Sequence, residues 1–271
     1  MKLRAYFQRA LVLFSAFAVF GILLAIVLYI LRQGVPQLRP SLFAKTYTRE
    51  NQSLLPALLN TWNTVLLTLS FALPAGIGGA VYLTEYAPQR SPIVKLIRTV
   101  TETLAGIPSI VYGLFGFLFF VLSCSLGNSI LSGSLTLAIM VLPTLLRATE
   151  EALLAVPQSY REASFGLGAG KLRTVFFVLL PAAAQGILSG IILAIGRILG
   201  ETAALIYTAG TVAGRAKSLT DSGRTLSVHL YCLLSEGLHM QEAYATAVVL
   251  LFLVFGINAL SELLARGFSG R

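Results

Sequence analysis

The chain contains 271 residues, of which 56% are hydrophobic and 11% are charged, and its mean hydropathy is +0.81. Ordinary soluble domains have about a quarter of their residues charged, so this composition excludes that class and predicts a membrane protein. The formal net charge is +9, from 20 basic and 11 acidic residues. Because lipid offers the backbone no hydrogen-bonding partners, the spanning elements are predicted to be helices.

Six apolar runs approach the roughly 20 residues that a helix needs to cross a bilayer. The first, Leu11–Leu31, has no charged residue and no small-residue cleavage site, so we predict a retained helix and not a signal peptide. The predicted fold is all-α with six transmembrane helices. Residues 1–62 form the first helix and an outer connection, and residues 63–271 form the core. The other five predicted spans are Asn63–Tyr86, Thr103–Ser123, Ser129–Leu146, Ala182–Thr208 and Ala243–Ala265.

The distribution of Lys and Arg predicts the orientation of the spans. Most of the 20 basic residues lie on segments that share a side with the two termini, which predicts that both termini are cytoplasmic. Two interpretations remain for the basic residues of the outer segments. They contact lipid headgroups and solvent, or they form an electropositive vestibule for an anionic cargo. These residues are Arg32, Arg39, Lys45, Arg49, Arg215, Lys217 and Arg224.

Cysteine and histidine usage indicates no metal chemistry. Cys124 and Cys232 both lie in predicted outer connections, where either a disulfide or two free, buried thiols would fit. His229 and His239 have no carboxylate or thiol nearby at ligand spacing, so we expect no bound metal ion.

The inner connection between the fourth and fifth spans, residues 147–181, predicts a short separate helix. Pro157 ends the helix that continues inward from the fourth span. Ser159 and Glu162 have the spacing of a capping box, in which each side chain satisfies a backbone N–H at the helix start. Gly168 is placed to end this helix, because a left-handed C-terminal turn suits glycine.

The same short helix is predicted to pack against another surface. Tyr160, Ala163 and Leu167 recur at helical spacing and give it one apolar face. Residues 169–180 then lead back towards the membrane, and Pro181 marks the return. An ordered polar segment at the cytoplasmic face indicates a soluble partner protein.

Gly166–Lys171 looks like a phosphate-binding loop but lacks its key residues. The P-loop requires a glycine five residues before the Gly-Lys pair and a Ser or Thr after it, and these positions hold Phe165 and Leu172. No buried strand precedes the segment. We therefore expect that the chain does not hydrolyse ATP and is not an enzyme.

The inner connection resembles the EAA loop of importer-type ABC transporter permeases. The resemblance rests on Glu162-Ala163-Ser164, on Gly168 after three further residues, and on Val178-Leu179-Leu180-Pro181 after nine more. Two positions depart from the family pattern, since Ser164 replaces the second alanine and Val178 replaces isoleucine.

This resemblance implies the type I ABC importer permease fold. In that family, the short cytoplasmic coupling helix docks in a groove of a separate ATPase. The resemblance assigns this coupling to Glu162, Ala163 and Gly168, and we add Ser159 as the residue predicted to cap the helix.

Two charges inside the fifth span, Arg197 and Glu201, mark a candidate pathway. A charge within a span costs roughly 2.5–3.5 kcal/mol on insertion scales and is usually functional. The two residues are four apart, so we predict that they pair on one helix face. Two roles remain open: an ion pair that only sets helix packing, or an Arg197 guanidinium that meets an oxyanion in passage and is positioned by Glu201.

Small residues in the fifth span predict close helix contacts. One stripe comprises Ala182, Gly186, Gly190 and Ala194, and the other comprises Gly196, Gly200 and Ala204. Such stripes let the backbones of neighbouring helices approach closely.

The fifth span also narrows the resemblance within the ABC permeases. The run from Gly196 to Leu205, GRILGETAAL, is followed by Tyr207-Thr208-Ala209-Gly210 and is similar to the phosphate-specific permeases of the Pst system. Leu104–Gly113 and Gly76–Tyr86 support this similarity, which is greater to PstA-type than to PstC-type subunits. The resemblance covers roughly residues 60–265 and implies that Arg197, Glu201 and Thr202 belong to a translocation pathway.

The resemblance implies a subunit that imports inorganic phosphate across a bacterial or archaeal cytoplasmic membrane. Its implied partners are a second, PstC-like permease, two PstB-like ATPases, a PstS-like binding protein outside, and membrane lipid, but no nucleic acid. ATP and Mg²⁺ would bind the ATPases, so no cofactor is expected on this chain. The alternatives are an ABC permease for another oxyanion or an organic solute, and an ion-coupled carrier or membrane enzyme without an ATPase.

Overall fold

A computed structural model describes residues 2–88 and 90–269 of the chain, and all regular structure in these residues is helical. Short 3₁₀ turns follow the first helix, and three π-helical segments, Tyr82–Tyr86, Phe117–Ser123 and Val175–Leu179, extend longer helices. The α-helices are α1 Lys2–Gly34, α2 Leu55–Val81, α3 Pro92–Ala105, α4 Ser109–Gly116, α5 Ile130–Leu154, α6 Gln158–Gly166, α7 Lys171–Thr174, α8 Leu180–Gly200, α9 Ala203–Thr208, α10 Leu226–Glu236 and α11 Met240–Ser269.

Five helical stretches of the described residues are long and apolar enough to cross a membrane, and one bent helix pair supplies a sixth crossing if it counts as one span. The all-α membrane fold predicted from the sequence is therefore confirmed. The unbroken stretches are Gln8–Gln37, Leu55–Tyr86, Ile130–Leu154, Lys171–Gly200 and Met240–Leu260.

The third predicted span, Thr103–Ser123, is not one straight helix. The chain bends by 103° where α3 meets α4. Pro108 accounts for the break, because its ring lacks an N–H and keeps the preceding residue out of the helical region. The Tyr112 hydroxyl donates to the Leu104 carbonyl at 2.8 Å and holds the corner.

α5 lies at the centre of the bundle, where it packs against α2 and α8. Its most apolar window is 61% buried, against 33% or less for the other unbroken spans. Ser129 caps its start, and the Ser129 hydroxyl accepts the Ser132 N–H at 3.1 Å. α5 ends at Leu154, so the predicted inward extension of the fourth span before Pro157 is confirmed.

Two glycines of α8 allow a close crossing with α5 in the bundle core. A Cβ added at Gly186 would lie 2.6 Å from the Cβ of Ala152, and one at Gly190 would lie 2.5 Å from the Cβ of Ala148. Both distances are shorter than real side chains tolerate, so the two glycines let α8 lie directly on α5. The predicted close contact along this stripe is therefore confirmed.

α1 lies at the edge of the fold and packs mainly against α11. None of the residues in its apolar window is buried. Gly34 makes the contact close, because an added Cβ there would lie 2.5 Å from a methyl group of Val248. The remaining apolar surface of α1 suits contact with lipid or with another membrane subunit.

The two cysteines do not form a disulfide. Both are free thiols, and Cys124 is exposed while Cys232 is half-buried. The interpretation as two buried thiols is therefore wrong for Cys124, which lies just beyond the π-helical end of the third span.

Candidate functional site

The short helix predicted between the fourth and fifth spans is present as α6, but it begins earlier than predicted. Pro157, with φ −54° and ψ 140°, precedes the first turn, and Gln158 is already helical. Ser159 therefore lies inside the first turn, so the predicted capping box with Glu162 is wrong. The physical reason is that Pro157 occupies the N-cap position, where its ring fixes φ and the helix can begin at the next residue. Its side chain has no hydrogen-bond acceptor, so it does not cap the helix.

The end of α6 matches the prediction. Gly168 has φ +79°, a left-handed conformation that favours glycine. Its N–H donates to the Phe165 carbonyl at 2.9 Å, and the Ala169 N–H donates to the Ser164 carbonyl at 3.1 Å. These two bonds form a Schellman motif, which satisfies carbonyls at the helix end and turns the chain back.

The apolar face of α6 is not covered by any described residue of this chain. Leu167 is 89% exposed and Tyr160 is 49% exposed. Glu162 and Ala163 are exposed as well. A cavity of about 680 Å³ opens along this face and is also lined by Arg173 of the returning arm. The surface therefore offers apolar contact together with charge at its rim.

One buried arginine joins α6 to the bundle. The Arg161 guanidinium donates twice to Glu85 Oε1, at 3.1 Å from Nε and 2.7 Å from Nη2. It also donates to the carbonyls of Val156 at 3.0 Å and Leu153 at 3.1 Å. Both charged side chains are at most 12% exposed. Arg161 thus ties α6 to the last turn of α5 and to the end of the second span.

The returning arm is joined to the same region. The buried hydroxyls of Ser164 and Thr174 lie 2.8 Å apart and connect α6 to α7. The Lys171 ammonium lies 4.9 Å from the centre of the Tyr86 ring, a cation–π contact. Glu85 and Tyr86 at the end of the second span therefore contact both arms of the inner connection.

The returning arm is continuous with the fifth span. Helix runs without a gap from Lys171 to Gly200, through the π-helical Val175–Leu179. The wider π turn accommodates Pro181, whose ring would clash with the preceding turn of a regular α-helix. α7 and α8 therefore belong to one continuous helix, which begins at Lys171 just after the turn that ends α6.

The predicted pairing of Arg197 with Glu201 on one helix face is wrong. α8 ends at Gly200, and Glu201 is extended with φ −74° and ψ 127°. The Glu201 carboxylate accepts the Ala204 N–H at 3.1 Å in the first turn of α9. Arg197 is half-buried and forms no ion pair with any described carboxylate. Each charge instead lies at the helix end that favours it, the cation at a C-terminus and the anion at an N-terminus.

The interruption between α8 and α9 lies within the depth of the bundle. Near one end of α5, a Cβ at Gly133 would lie 2.9 Å from Ala209, just after α9. Near its other end, Ala148 contacts Gly190 of α8. The extended Glu201 lies between these two levels. Irregular backbone at membrane depth is tolerated only where protein covers it or where it lines a water-filled cavity.

The segment between α8 and α9 is buried at Glu201 and open at the end of α8. The Ser227 hydroxyl donates to the Glu201 carbonyl at 2.7 Å, and the half-buried Thr202 hydroxyl lies 3.4 Å from the Gly200 carbonyl. A Cβ added at Gly196 or Gly200 would meet no heavy atom within 4 Å. The predicted close helix contact along this second stripe is therefore wrong at Gly196 and Gly200 within the described residues, and Arg197 lies beside an uncrowded helix end. It is confirmed at Ala204, because a Cβ added at Gly113 of α4 would lie 2.8 Å from the Ala204 Cα.

Sequence reasoning did not identify Glu85 or Arg161 as functional candidates. Glu85 is an acidic residue at the end of an apolar span, and this position could have predicted that it pairs with a basic side chain. The partner itself lies 76 residues later in the chain, and no local spacing connects the two.

Comparisons with known proteins agree with this geometry. A family model described as the inner membrane component of binding-protein-dependent transport systems matches residues 72–271. A probable ABC transporter permease of Bacillus subtilis, YqgI, is 36% identical over 221 residues, which cover 74% of each protein. The phosphate transport system permease PstA of Mycobacterium leprae is 35% identical over 190 residues, which cover 69% of this chain but only 62% of that protein.

The fold also matches a solved structure, the methionine ABC transporter MetNI in an inward-facing conformation. The TM-score is 0.62 at 20% identity, over 77% of this chain and 94% of that chain. At this identity the match shows the fold alone, which is that of type I ABC importer permeases. Members of this family are membrane subunits that work with a separate ATPase and a substrate-binding protein. The chain belongs to the family of inner membrane components of binding-protein-dependent ABC transport systems.

Proposed function

We propose that the chain is a permease subunit of an ATP-driven importer of inorganic phosphate. The observation that carries the proposal is the half-buried Arg197 guanidinium, which pairs with no described carboxylate and lies beside an interrupted helix with open space along its glycines. The planar guanidinium suits the geometry of a tetrahedral oxyanion. Relatives that are named phosphate permeases support the choice of cargo.

In this proposal, the inner connection is moved when ATP binding closes the two ATPase subunits. The exposed face of α6 seats in a groove of the ATPase, with Ser159, Glu162 and Ala163 at the contact and Gly168 holding the turn. The displacement then passes along two routes. One is the continuous helix from α7 into α8, and the other is the Arg161–Glu85 pair to the second span. Such rigid connections suit a switch between outward- and inward-facing states.

Arg197, Glu201 and Thr202 are the proposed pathway residues. Arg197 meets the phosphate during passage. Glu201 acts as a positioning residue for the start of α9, since its carboxylate is engaged with the Ala204 N–H. Thr202 supplies a hydroxyl on the extended segment between the two helices.

The proposed assembly has four kinds of subunit in a bacterial or archaeal cytoplasmic membrane. A PstC-like permease completes the pore, two PstB-like ATPases bind ATP and Mg²⁺, and a PstS-like protein delivers phosphate. Both termini of the chain are cytoplasmic in this arrangement. The distribution of basic residues supports this orientation.

Uptake into reconstituted vesicles that contain all four kinds of subunit tests the function. We expect ATP-dependent phosphate uptake that excess molybdate does not suppress. Glu162→Arg should abolish uptake while ATP hydrolysis and membrane insertion persist. Glu151→Arg is the matched control, because it reverses an exposed charge on neighbouring α5. Absence of phosphate uptake would refute the cargo, and uptake without ATP would refute the coupling.

The pathway role of Arg197 has its own test. Arg197→Gln should abolish phosphate uptake, and Arg197→Lys should restore part of it because the charge returns without the planar fork. The exposed Arg147 offers the control variant Arg147→Gln, which should transport normally. Wild-type uptake by Arg197→Gln would leave Arg197 with a packing role only.

A further inference from the structure

A basic cavity lies on the face of the bundle opposite α6. Its volume is about 670 Å³, and its lining includes Lys45, Tyr47, Arg215 and Lys217. These residues either precede α2, at the start of the second span, or follow α9. The far end of the second span carries Glu85, which pairs with Arg161 of α6. The cavity and the coupling helix therefore lie at opposite ends of one span.

A buried arginine lies behind the Tyr47 wall of this cavity and has no carboxylate partner among the described residues. Arg224 is only 4% exposed, and its guanidinium carbon lies 4.8 Å from the centre of the Tyr47 ring. Its Nε and Nη2 atoms are buried and hydrogen-bond to no described residue. No described carboxylate forms an ion pair with it. A nearby anion would stabilise this charge, because the free-energy cost of removing the guanidinium from water is otherwise not offset.

The neighbouring ionisable groups do not supply that anion. His229 is fully buried with its ring edge-on to Tyr47, and burial together with the Arg224 charge lowers its pKa to about 3, so it is neutral at pH 7. The Asp221 carboxylate accepts the backbone N–H groups of Lys217 and Ser218, each at 2.9 Å. It therefore orders the loop instead of pairing with Arg224.

The polar side chain of Asn60 makes the floor of the cavity rigid. Its amide oxygen accepts the Ala216 N–H at 3.0 Å, and its amide nitrogen donates to the carbonyls of Gly214 at 3.0 Å and Arg224 at 3.2 Å. Asn60 itself is fully buried. The Tyr47 hydroxyl donates to Gln52 Oε1 at 2.6 Å, which fixes the opposite wall. The backbone on either side of Arg215 and at Arg224 is thus fixed before any ligand arrives.

We propose that this cavity is an oxyanion-binding site, separate from Arg197, in which Lys45, Arg215 and Lys217 hold a tetrahedral anion at the outer mouth of the permease and the charge of Arg224, behind Tyr47, attracts that anion. Its assignment to phosphate rests on the proposed function. The site is also joined to the helix interruption, because Ser227, three residues after Arg224, donates to the Glu201 carbonyl. Phosphate released outside would bind here before it reaches Arg197.

Equilibrium dialysis of the purified full chain in phospholipid-free detergent, with radiolabelled inorganic phosphate and no binding protein, tests the site. We expect saturable binding that sulfate displaces and chloride does not. Arg224→Gln should weaken it about tenfold, equivalent to about 1.4 kcal/mol. The exposed double variant Lys45→Gln with Lys217→Gln should weaken it as well and does not depend on a buried substitution. Arg39→Gln removes an exposed charge on the same face and should bind as wild type.

Each outcome has a defined meaning. Wild-type phosphate affinity in both variants, or no saturable binding, would overturn the site. Displacement by short-chain phosphatidylglycerol but not by sulfate would assign the cavity to a lipid headgroup and overturn it equally. If the reconstituted transporter imports no phosphate while the chain still binds phosphate and both variants weaken that binding, the proposed function fails and the site stands.

Discussion

Removing one partner of the buried Arg161–Glu85 pair should destabilise the protein far more than breaking the exposed Arg147–Glu151 pair. Arg161 is 12% and Glu85 is 9% exposed, whereas Arg147 and Glu151 are 60% and 67% exposed. The two pairs use the same residue types near the same end of the bundle. The comparison therefore contrasts a largely buried pair that also binds two backbone carbonyls with an exposed pair within one helix.

The expected magnitude follows from what each substitution leaves behind. Arg161→Ala strands a buried Glu85 carboxylate and removes the donor to the carbonyls of Val156 and Leu153. Breaking a buried pair in this way costs about 3–5 kcal/mol. Arg147→Ala loses only an exposed pair, which contributes about 0–1 kcal/mol. At about 2–4 °C per kcal/mol, the first change should lower Tm on the order of 10 °C and the second by about 4 °C or less.

Thermal unfolding of the detergent-solubilised chain measures this difference. The swapped double variant, Arg161→Glu with Glu85→Arg, should recover part of the lost stability because the opposite charges meet again. In the reconstituted transporter, Arg161→Ala should lower uptake more than ATP hydrolysis, since it breaks one route from α6 to the second span. Equal Tm values for Arg161→Ala and Arg147→Ala would refute the reasoning, because the burial of the pair would then carry no energetic consequence.

Three further predictions concern backbone strain, helix packing and a buried histidine. Gly168→Val forces a left-handed backbone on a branched residue and should cost about 1–2 kcal/mol, while Gly166→Ala should not destabilise. Gly190→Leu should cost about 1–3 kcal/mol by overpacking, while Gly196→Leu, in open space, should cost less. Buried His229 has its pKa lowered to about 3, so stability should fall as pH drops from 6.5 towards 3, by up to about 1.4 kcal/mol per pH unit.

Unfolding measurements decide each of these outcomes. Equal stability of the two Gly-to-Leu variants would contradict the close contact of α8 with α5. A Gly168→Val protein as stable as wild type would contradict the left-handed turn. For His229 the sign follows from a neutral folded form, since the unfolded chain binds the extra proton below pH 6.5. His229→Gln should reduce the dependence of the unfolding free energy on pH. An unchanged pH dependence would assign the acid sensitivity to other groups.

The helical class, the approximate spans and the turn at Gly168 could be predicted because they depend on local properties. Apolar run length sets a span, and a left-handed turn selects glycine whatever surrounds it. The approach of α8 to α5 through Gly186 and Gly190 was predictable for a similar reason, since small residues at helical spacing make a face that another helix can approach.

Three details failed where competing local signals had to be weighed in three dimensions. The third span bends because Pro108 outweighs the apolar run that surrounds it. The capping box fails because Pro157 occupies the N-cap position and α6 already begins at Gln158, one residue before Ser159. Arg197 and Glu201 do not pair because the helix ends at Gly200, where Ser227 and Ala204 hold the extended segment.

By itself, the sequence determined that this is a helical membrane protein with a short glycine-terminated helix between two spans and two charges in the fifth. Hydrophobic length and short-range spacing carry that information along the chain. The tertiary structure alone decided which charges meet and which stay unpaired: Arg161 with Glu85, 76 residues away, and Arg224 beneath Tyr47 without a carboxylate. The physical reason is that desolvation and pairing depend on what neighbouring helices and loops bring to a buried side chain, and no spacing within one segment encodes that.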